Sequence, residues 1–303
     1  MPETHRYPLA VAGVGITLET AVDLPVTERF APFLSENVTS GYRIEFRECA
    51  ALPEPVGKRL YRSECYEVYP DGAGGFARWY FDEMHGFVRF ARTVIDLSGK
   101  RVRVEYQSAQ RELLSAMGNC FSFGAWERLL QQENRLILHA ACVDTPCGGL
   151  LFSGPSGIGK STQGKLWERY RGARLINGDR PILYRDGGVW LACGSPYAGS
   201  SRCYVNDCCP VRAIVLLRQA PACSIRPLGG LEAFRRVFAG TTANSWDPES
   251  VAKSLDLTQA LTSEVPIYEL ACTPDLAAVE LLEGELRKED ASWNRKMCEW
   301  SRA

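Results

Sequence analysis

The stretch GLLFSGPSGIGKSTQGKLW, residues 149–167, constrains the fold of this chain more than any other. A short apolar run leads into a loop of Gly, Pro and Ser, and Lys160-Ser161-Thr162 then opens a predicted helix. Residues 154–161 satisfy the pattern GxxxxGK[ST] in full. This pattern predicts a strand, a tight glycine-rich loop and a helix, in that order.

The residue types of this loop are those that bind phosphate. Glycines allow backbone N–H groups to converge on phosphate oxygens without interference from Cβ atoms, and the helix start adds the positive end of its dipole. Lys160 is placed to reach the β and γ phosphates, and the Ser161 hydroxyl to hold Mg²⁺. We therefore predict a nucleotide site formed by Gly154, Pro155, Ser156, Gly157, Ile158, Gly159, Lys160, Ser161 and Thr162.

Composition excludes several other classes of protein. The 303 residues carry 35 basic and 36 acidic side chains, a net charge of −1, which argues against nucleic acid as the main partner. No apolar run approaches the roughly 18 residues that a membrane helix needs. The first residues, MPETHRYPLA, lack a signal pattern, so we expect a cytoplasmic protein with no membrane partner.

Twelve cysteines are many for such a chain. None forms a CxxC pair, and a chain of this length does not need disulfides for stability. Cys203, Cys208 and Cys209 could supply three zinc ligands, but no fourth ligand is evident and the chain has only three histidines. We therefore expect free and mostly buried thiols.

Residues 1–134 are predicted to form a strand-rich domain. The segment 71–75 separates two aromatic-rich runs, and Ser98-Gly99-Lys100 separates another pair, so both predict β-hairpins. Residues 110–132 predict one helix, weakened by two internal glycines. We expect an antiparallel sheet closed by this helix.

From residue 135 onward, short apolar strands alternate with helical segments, which indicates a sheet covered by helices. We therefore predict a second domain over residues 135–303 and an α/β, or α+β, fold. The predicted strands of this domain are 136–143, 149–153, 173–177, 182–185, 189–193, 211–217 and 265–271. The predicted helices are 160–171, 229–239, 248–263 and 274–288.

A phosphate loop alone does not separate kinases from GTPases and ATPase motors. The chain has no NKxD motif, with which GTPases recognise guanine, and no convincing Walker B acid, which an ATPase motor would need. The best acid is Asp179, which follows a predicted strand and could accept a proton from a hydroxyl or help to hold the metal. His139 lies on the predicted strand before the loop, where a core role is the alternative. We expect His5 and His85 to be surface or core residues without a role in the site.

The segments LHAACVD, GPSGIGKST and RGARLINGD together resemble the C-terminal domain of HPr kinase/phosphorylase, where an HG strand, a GxSGxGKS loop and an RGHRLVADD segment occur in that order. The resemblance covers residues 135 to about 185 well and the rest of this half loosely. It implies a phosphoenolpyruvate-carboxykinase-like P-loop fold that uses ATP and Mg²⁺ to phosphorylate a hydroxyl. It also implies that Asp179 accepts the proton with His139 beside it. Ser161 and Asp179 are the predicted Mg²⁺ ligands.

The chain also departs from that family. Gly178 stands where the family has the first of two aspartates, residues 193–206 replace its EIRGLG signature, and residues 265–275 lack its late arginine. These departures argue against HPr as substrate and against reverse phosphorolysis. The pattern is more similar to the HPr-kinase-related proteins of peptide-modification gene clusters. Arg202, or Arg180, could contact transferring phosphoryl oxygens, with a structural or solvated role as the alternative for each.

The leading hypothesis is an ATP- and Mg²⁺-dependent kinase acting on a Ser/Thr hydroxyl of a peptide or protein, or on a small hydroxylated molecule. Its alternative is a nucleotide-binding regulator or scaffold without phosphotransfer, which Gly178 and the missing metal glutamate favour. An ATPase coupled to movement is a third hypothesis, opposed by the absent Walker B. Residues 1–134 are the candidate region for acceptor recognition, and analogy with the HPr enzyme leaves a homo-oligomer open.

Overall fold

The computed structural model of the chain describes residues 3–38, 41–82 and 88–301, so His85 lies outside the described residues. The chain forms two compact units. The first contains the residues up to Glu133 together with Asn244–Pro248, and the second contains Asn134–Ala243 and the residues from Glu249 onward. The assignment of separate roles to residues 1–134 and 135–303 stays a prediction.

The first unit is built on one mixed eight-stranded sheet within the described residues. Its strands are β1 (His5–Val11), β2 (Val14–Thr20), β3 (Tyr42–Cys49), β4 (Tyr61–Arg62), β5 (Tyr66–Pro70), β6 (Phe76–Asp82), β7 (Val88–Asp96) and β8 (Arg101–Gln107). They are ordered β1-β2-β3-β8-β7-β6-β5-β4.

Both predicted hairpins are confirmed, because β5 pairs antiparallel with β6 and β7 pairs antiparallel with β8. The prediction of a purely antiparallel sheet is wrong, since β3 runs parallel to both β2 and β8. Parallel neighbours require a long connection between strands, and such connections leave no short turn signal in the sequence.

The single helix predicted for residues 110–132 is also wrong. The segment instead contains a 3-10 turn and two short helices: Ser108–Leu114, α1 (Met117–Phe123) and α2 (Trp126–Gln132). Gly124 lies so close to Ile44 that a Cβ atom would overlap that side chain, and Ala125 has a left-handed φ of 52°. The chain therefore turns between α1 and α2, because packing against the sheet overrides helix propensity.

The segment Asn244–Pro248 is held within the first unit by charged and aromatic contacts. Arg128 Nε lies 2.8 Å from Asp247 Oδ2, and both side chains are buried. The Arg78 guanidinium lies 5.3 Å from the centre of the Trp246 ring. A buried ion pair that loses one partner leaves an uncompensated charge, so these contacts fix the segment in place.

The second unit is a mixed sheet covered by helices on both faces. In the part of the chain that the structure describes, its strands are β9 (Leu136–Ile137), β10 (Ala140–Thr145), β11 (Gly148–Ser153), β12 (Arg174–Asn177), β13 (Ile182–Asp186), β14 (Val189–Cys193), β15 (Cys208–Gln219), β16 (Ser224–Leu228) and β17 (Ile267–Cys272). Its helices are α3 (Lys160–Arg171), α4 (Gly230–Phe238), α5 (Pro248–Glu264), α6 (Leu276–Arg287) and α7 (Asp290–Trp300).

The main path of this sheet is β12-β10-β11-β15-β14-β13-β9, with β17 on β15 and β16 on β17. One apolar cluster joins its strands to residues of α4 and α5, and a second cluster joins them to α3 and α6. The predicted alternation of strands and helices is confirmed, whereas β16 and α7 were not predicted. None of the helices in the described part of the chain combines the length and the apolar composition that a membrane span requires.

Candidate functional site

The predicted phosphate loop lies between β11 and α3, as its pattern predicts. Gly157 and Gly159 have φ angles of 77° and 114°, which L side chains rarely adopt. No heavy atom lies within 4 Å of the position that a Cβ atom would take at either residue. The space next to both glycines is therefore open at the N-terminus of α3, where an anion is favoured.

The Lys160 side chain folds back over this loop. Its Nζ donates hydrogen bonds to the carbonyl oxygens of Gly154 and Pro155, at 3.0 and 3.1 Å. Burial lowers the pKa of the Lys160 ammonium, and the Asp179 carboxylate opposes that shift. A buried ammonium needs partners. Phosphate oxygens entering the loop would be stronger partners than neutral carbonyls because they are charged.

Asp179 and His139 meet beside the loop. His139 Nε2 lies 3.2 Å from Asp179 Oδ1, and both side chains are partly accessible to solvent. Burial lowers the pKa of the His139 imidazole, the Lys160 cation lowers it further, and the Asp179 carboxylate only partly offsets these effects. At neutral pH the contact therefore joins a neutral imidazole to a carboxylate rather than two opposite charges.

A break in the predicted strand 136–143 creates this pair. β9 ends at Ile137 and β10 begins at Ala140, so His139 lies outside both strands. Its backbone N–H donates to the Gly240 carbonyl at 2.8 Å, and its own carbonyl accepts from Ser153 Oγ at 2.9 Å. The next N–H, of Ala140, donates to the Asp179 carbonyl at 3.0 Å. Backbone hydrogen bonds thus bring His139 and Asp179 together.

Asn177 holds the turn that carries Asp179, a role that was not predicted. Its side chain is fully buried, and Oδ1 accepts from the N–H groups of Asp179 and Arg180 at 2.9 and 2.7 Å. Its Nδ2 donates to the carbonyl oxygen and Oγ of Ser195, both at 3.3 Å. An asparagine two residues before Asp179 is typical of an Asx turn, and this signal in the sequence could have identified the role of Asn177.

The segment after β14 forms the wall on the other side of Asp179. Gly199 has a φ of 55°, and a Cβ atom there would lie 2.9 Å from Asp179 Cβ and 3.1 Å from its Cγ. Gly178 packs against Ser201, whose side chain would overlap a Cβ atom at position 178. The space beside Gly178, where the HPr kinase sequences have the first of their two aspartates, is therefore filled by this segment.

The two candidate arginines differ in position. Arg180 Nε lies 3.5 Å from Asp179 Oδ2, and its Nη1 donates to Thr242 Oγ1 at 3.3 Å. Arg202 is exposed, follows the short 3-10 turn Gly199–Ser201 and has a left-handed φ of 51°. It does not line the cavity that contains Asp179. The structure thus brings Arg180 to the acid and leaves Arg202 outside.

Two cavities meet at the phosphate loop. The first, of about 300 Å³, contains most of the predicted site residues: Ser156, Gly157, Gly159, Lys160, Ser161, Thr162, His139 and Asp179. The second, of about 560 Å³, extends from the same loop to the ends of β15 and β17. Gly157, Gly159 and Thr162 line both cavities, and Ile158 lines only the second. An extended ligand held at the loop can therefore reach both.

The expectation of free thiols is wrong for two cysteines. Cys193 and Cys208 are joined by a disulfide between directly opposed residues of β14 and β15. Of the other proposed zinc ligands, the Cys203 thiol donates to the Leu175 carbonyl, and Cys209 Sγ lies 3.8 Å from Cys142 Sγ. Among the described residues no cluster of His, Cys, Asp and Glu could hold a metal ion.

No protein-family model matches the chain, and no curated protein matches its sequence. Among solved structures it is similar to the Hpr(Ser) kinase/phosphatase from Coxiella burnetii. The two share 14% sequence identity over 53% of this chain and 97% of the other, with a TM-score of 0.33.

Proposed function

We propose that this chain is an ATP- and Mg²⁺-dependent kinase that transfers the γ-phosphoryl group to a hydroxyl of a peptide, a protein or a small molecule. The proposal includes a phosphoenolpyruvate-carboxykinase-like P-loop domain related to HPr kinase and nearer to the HPr-kinase-related proteins of peptide-modification clusters. It also includes acceptor recognition by residues 1–134 and a cytoplasmic location.

One observation carries the proposal. The His139 and Asp179 side chains, 3.2 Å apart, line the same small cavity as Lys160 and Ser161. A phosphate loop that only binds nucleotide does not need a carboxylate facing the terminal phosphate, whereas transfer to an alcohol needs a group that accepts the alcohol proton.

The residues of this cavity can serve each part of the transfer. The acceptor oxygen attacks the γ-phosphorus while its proton passes to the Asp179 carboxylate, the new O–P bond forms, and the bond to the β,γ-bridging oxygen breaks to release ADP. Lys160 balances charge on the phosphates. His139, neutral at pH 7, orients the carboxylate through the 3.2 Å contact between Nε2 and Oδ1.

Ser161 and Asp179 are the residues that would hold Mg²⁺. The hydroxyl and the carboxylate supply hard oxygen ligands on one cavity, which is the donor type that Mg²⁺ prefers. Mg²⁺ commonly takes only one or two protein ligands and completes its shell with phosphate oxygens and water. When bound, the ion would neutralise charge on the β and γ phosphates.

The test uses ATP labelled at the γ-phosphate. The full chain is incubated with Mg²⁺ and with pooled Ser/Thr peptides, including short peptides encoded beside its gene. We expect a labelled product with the wild type and with Asp186→Asn, an exposed carboxylate outside the site, and a rate lower by at least about 100-fold with Asp179→Asn. Transfer that persists in Asp179→Asn would refute the assigned proton acceptor.

A second candidate function is a nucleotide-binding regulator that transfers no phosphate. Gly178 favours it, because Ser201 occupies the space that a second carboxylate would need. Under this alternative the chain binds ATP tightly, with no labelled product from peptides, small alcohols or water. Loss of binding in Lys160→Met would then show that the loop holds the nucleotide, while Asp179→Asn would leave binding unchanged.

A further inference from the structure

The larger of the two cavities contains a buried polar side chain whose hydrogen bonds are incomplete. Gln163 belongs to α3, is only 3% exposed and lines this cavity. Its Oε1 is buried, and no hydrogen-bond partner for it exists among the described residues. A buried carbonyl oxygen without a donor destabilises the protein unless a ligand completes it.

The other end of the Gln163 amide is also poorly matched. Its Nε2 donates to the Cys272 sulfur at 3.2 Å. Burial raises the pKa of the Cys272 thiol to about 11, so the group is a neutral thiol at pH 7. Because a thiol sulfur is a weak acceptor, the amide lacks a donor at one end and a strong acceptor at the other.

The walls of the cavity suit a mainly apolar group. Ile158, Leu217 and Pro274 contribute to the lining, and the volume of about 560 Å³ falls in the range of small-molecule sites. Gly157, Gly159 and Thr162 connect it to the phosphate loop. A group covalently attached to a phosphate chain in that loop can therefore enter this cavity.

We infer that this cavity receives the base of the nucleotide and that the Gln163 amide selects a 6-aminopurine. The N6 amine of adenine donates and the adjacent N7 accepts, which complements an amide that offers Oε1 and Nε2 together. The same edge of guanine presents two acceptors, O6 and N7, and leaves Oε1 without a donor. The inference rests on the nucleotide site of the proposed function and adds its base specificity.

Equilibrium binding to the full chain tests the inference without requiring phosphate transfer. The probes are the non-hydrolysable imido analogues of ATP and GTP with Mg²⁺, and inorganic tripolyphosphate, which has no base. We expect the wild type to bind the adenine analogue at least about 10-fold more tightly than the guanine analogue, the discrimination typical of one bidentate amide–base pair.

Gln163→Met keeps the length and helix propensity of the side chain but removes both polar groups. It is expected to reduce this preference to less than about 3-fold and to leave tripolyphosphate binding unchanged, which also verifies that the loop is folded. The matched control is Gln259→Leu on the exposed face of α5, which should retain the wild-type preference.

The outcomes separate this inference from the function on which it rests. Equal affinity of the wild type for both analogues, or a preference that survives in Gln163→Met, overturns the inference while the phosphate site stands. Failure of the wild type to bind either analogue or tripolyphosphate overturns the proposed nucleotide site and this inference with it.

Discussion

The contact between Gly199 and Asp179 offers a sharp test of how the site is built. Gly199 has a left-handed φ of 55°, and a methyl group there would lie 2.9 Å from Asp179 Cβ. Carbon atoms in contact are normally separated by about 3.5–4.0 Å. Gly199→Ala must therefore displace the Asp179 side chain, or the segment itself, by about 0.6–1 Å.

A displacement of that size costs about 100-fold in rate when the moved group takes part in the reaction. The variant also loses about 1–2 kcal/mol of stability, because alanine adopts the left-handed conformation less readily than glycine. Gly172→Ala is the matched control. Gly172 caps α3 with a φ of 65°, and no heavy atom lies within 4 Å of its Cβ position. It should show the same loss of stability with an unchanged rate.

The assay measures the initial rate of transfer from γ-labelled ATP to pooled Ser/Thr peptides, alongside unfolding by guanidinium. We expect both variants to unfold at a similarly lowered denaturant concentration and only Gly199→Ala to lose transfer. A rate for Gly199→Ala within about 3-fold of that for Gly172→Ala would refute the assigned position of Asp179 in the reaction.

Three further predictions concern Asn177, the Cys193–Cys208 disulfide and His139. Asn177→Ala removes the side-chain acceptor for two part-buried backbone N–H groups, so we expect it to lose about 2 kcal/mol of stability on denaturant unfolding and to slow transfer, with partial rescue by Asn177→Asp. Reduction of the Cys193–Cys208 disulfide frees a loop of sequence separation 15 and should lower stability by about 3 kcal/mol in the wild type, whereas dithiothreitol should leave the double serine variant unaffected. Because the pKa of His139 is lowered in the folded state, the stability that its neutral form contributes is present above the unfolded value of 6.5 and is lost as the pH falls below it. The rate of transfer should fall over the same acid range, and His139→Asn should flatten that limb of the pH–rate profile; an unchanged profile would contradict the role given to His139.

Short sequence patterns correctly predicted the parts of the fold whose conformation depends on residues adjacent in sequence. The bounds of α3 agree with the predicted helix 160–171, because the loop glycines before it and Gly172 after it are local start and stop signals. The helix predicted at 110–132 failed for the opposite reason. Its interruption at Gly124 depends on Ile44, a residue of a distant strand, which no window of sequence contains.

The candidate site likewise combines features that depend on neighbouring residues with features that depend on distant ones. Residues 154–162 adopt the strand–loop–helix conformation that their pattern predicts, since this conformation depends on the loop glycines and on the helix that follows. Asp179 and His139 were predicted as catalytic residues from their order along the chain relative to the loop. The 3.2 Å distance between them, the buried Asn177 beneath Asp179 and the close approach of Gly199 all join segments far apart in sequence.

Short-range conformational preference therefore accounts for the phosphate loop, its helix and the two hairpins, because the information for each lies within a few residues. Other features arise only when strands pair and side chains pack. These are the partner of each catalytic candidate, the position of Arg202 outside the cavity, the Cys193–Cys208 disulfide and the unmatched amide of Gln163. Those contacts depend on the sum of many distant interactions, and only the folded chain brings the participating atoms within bonding distance.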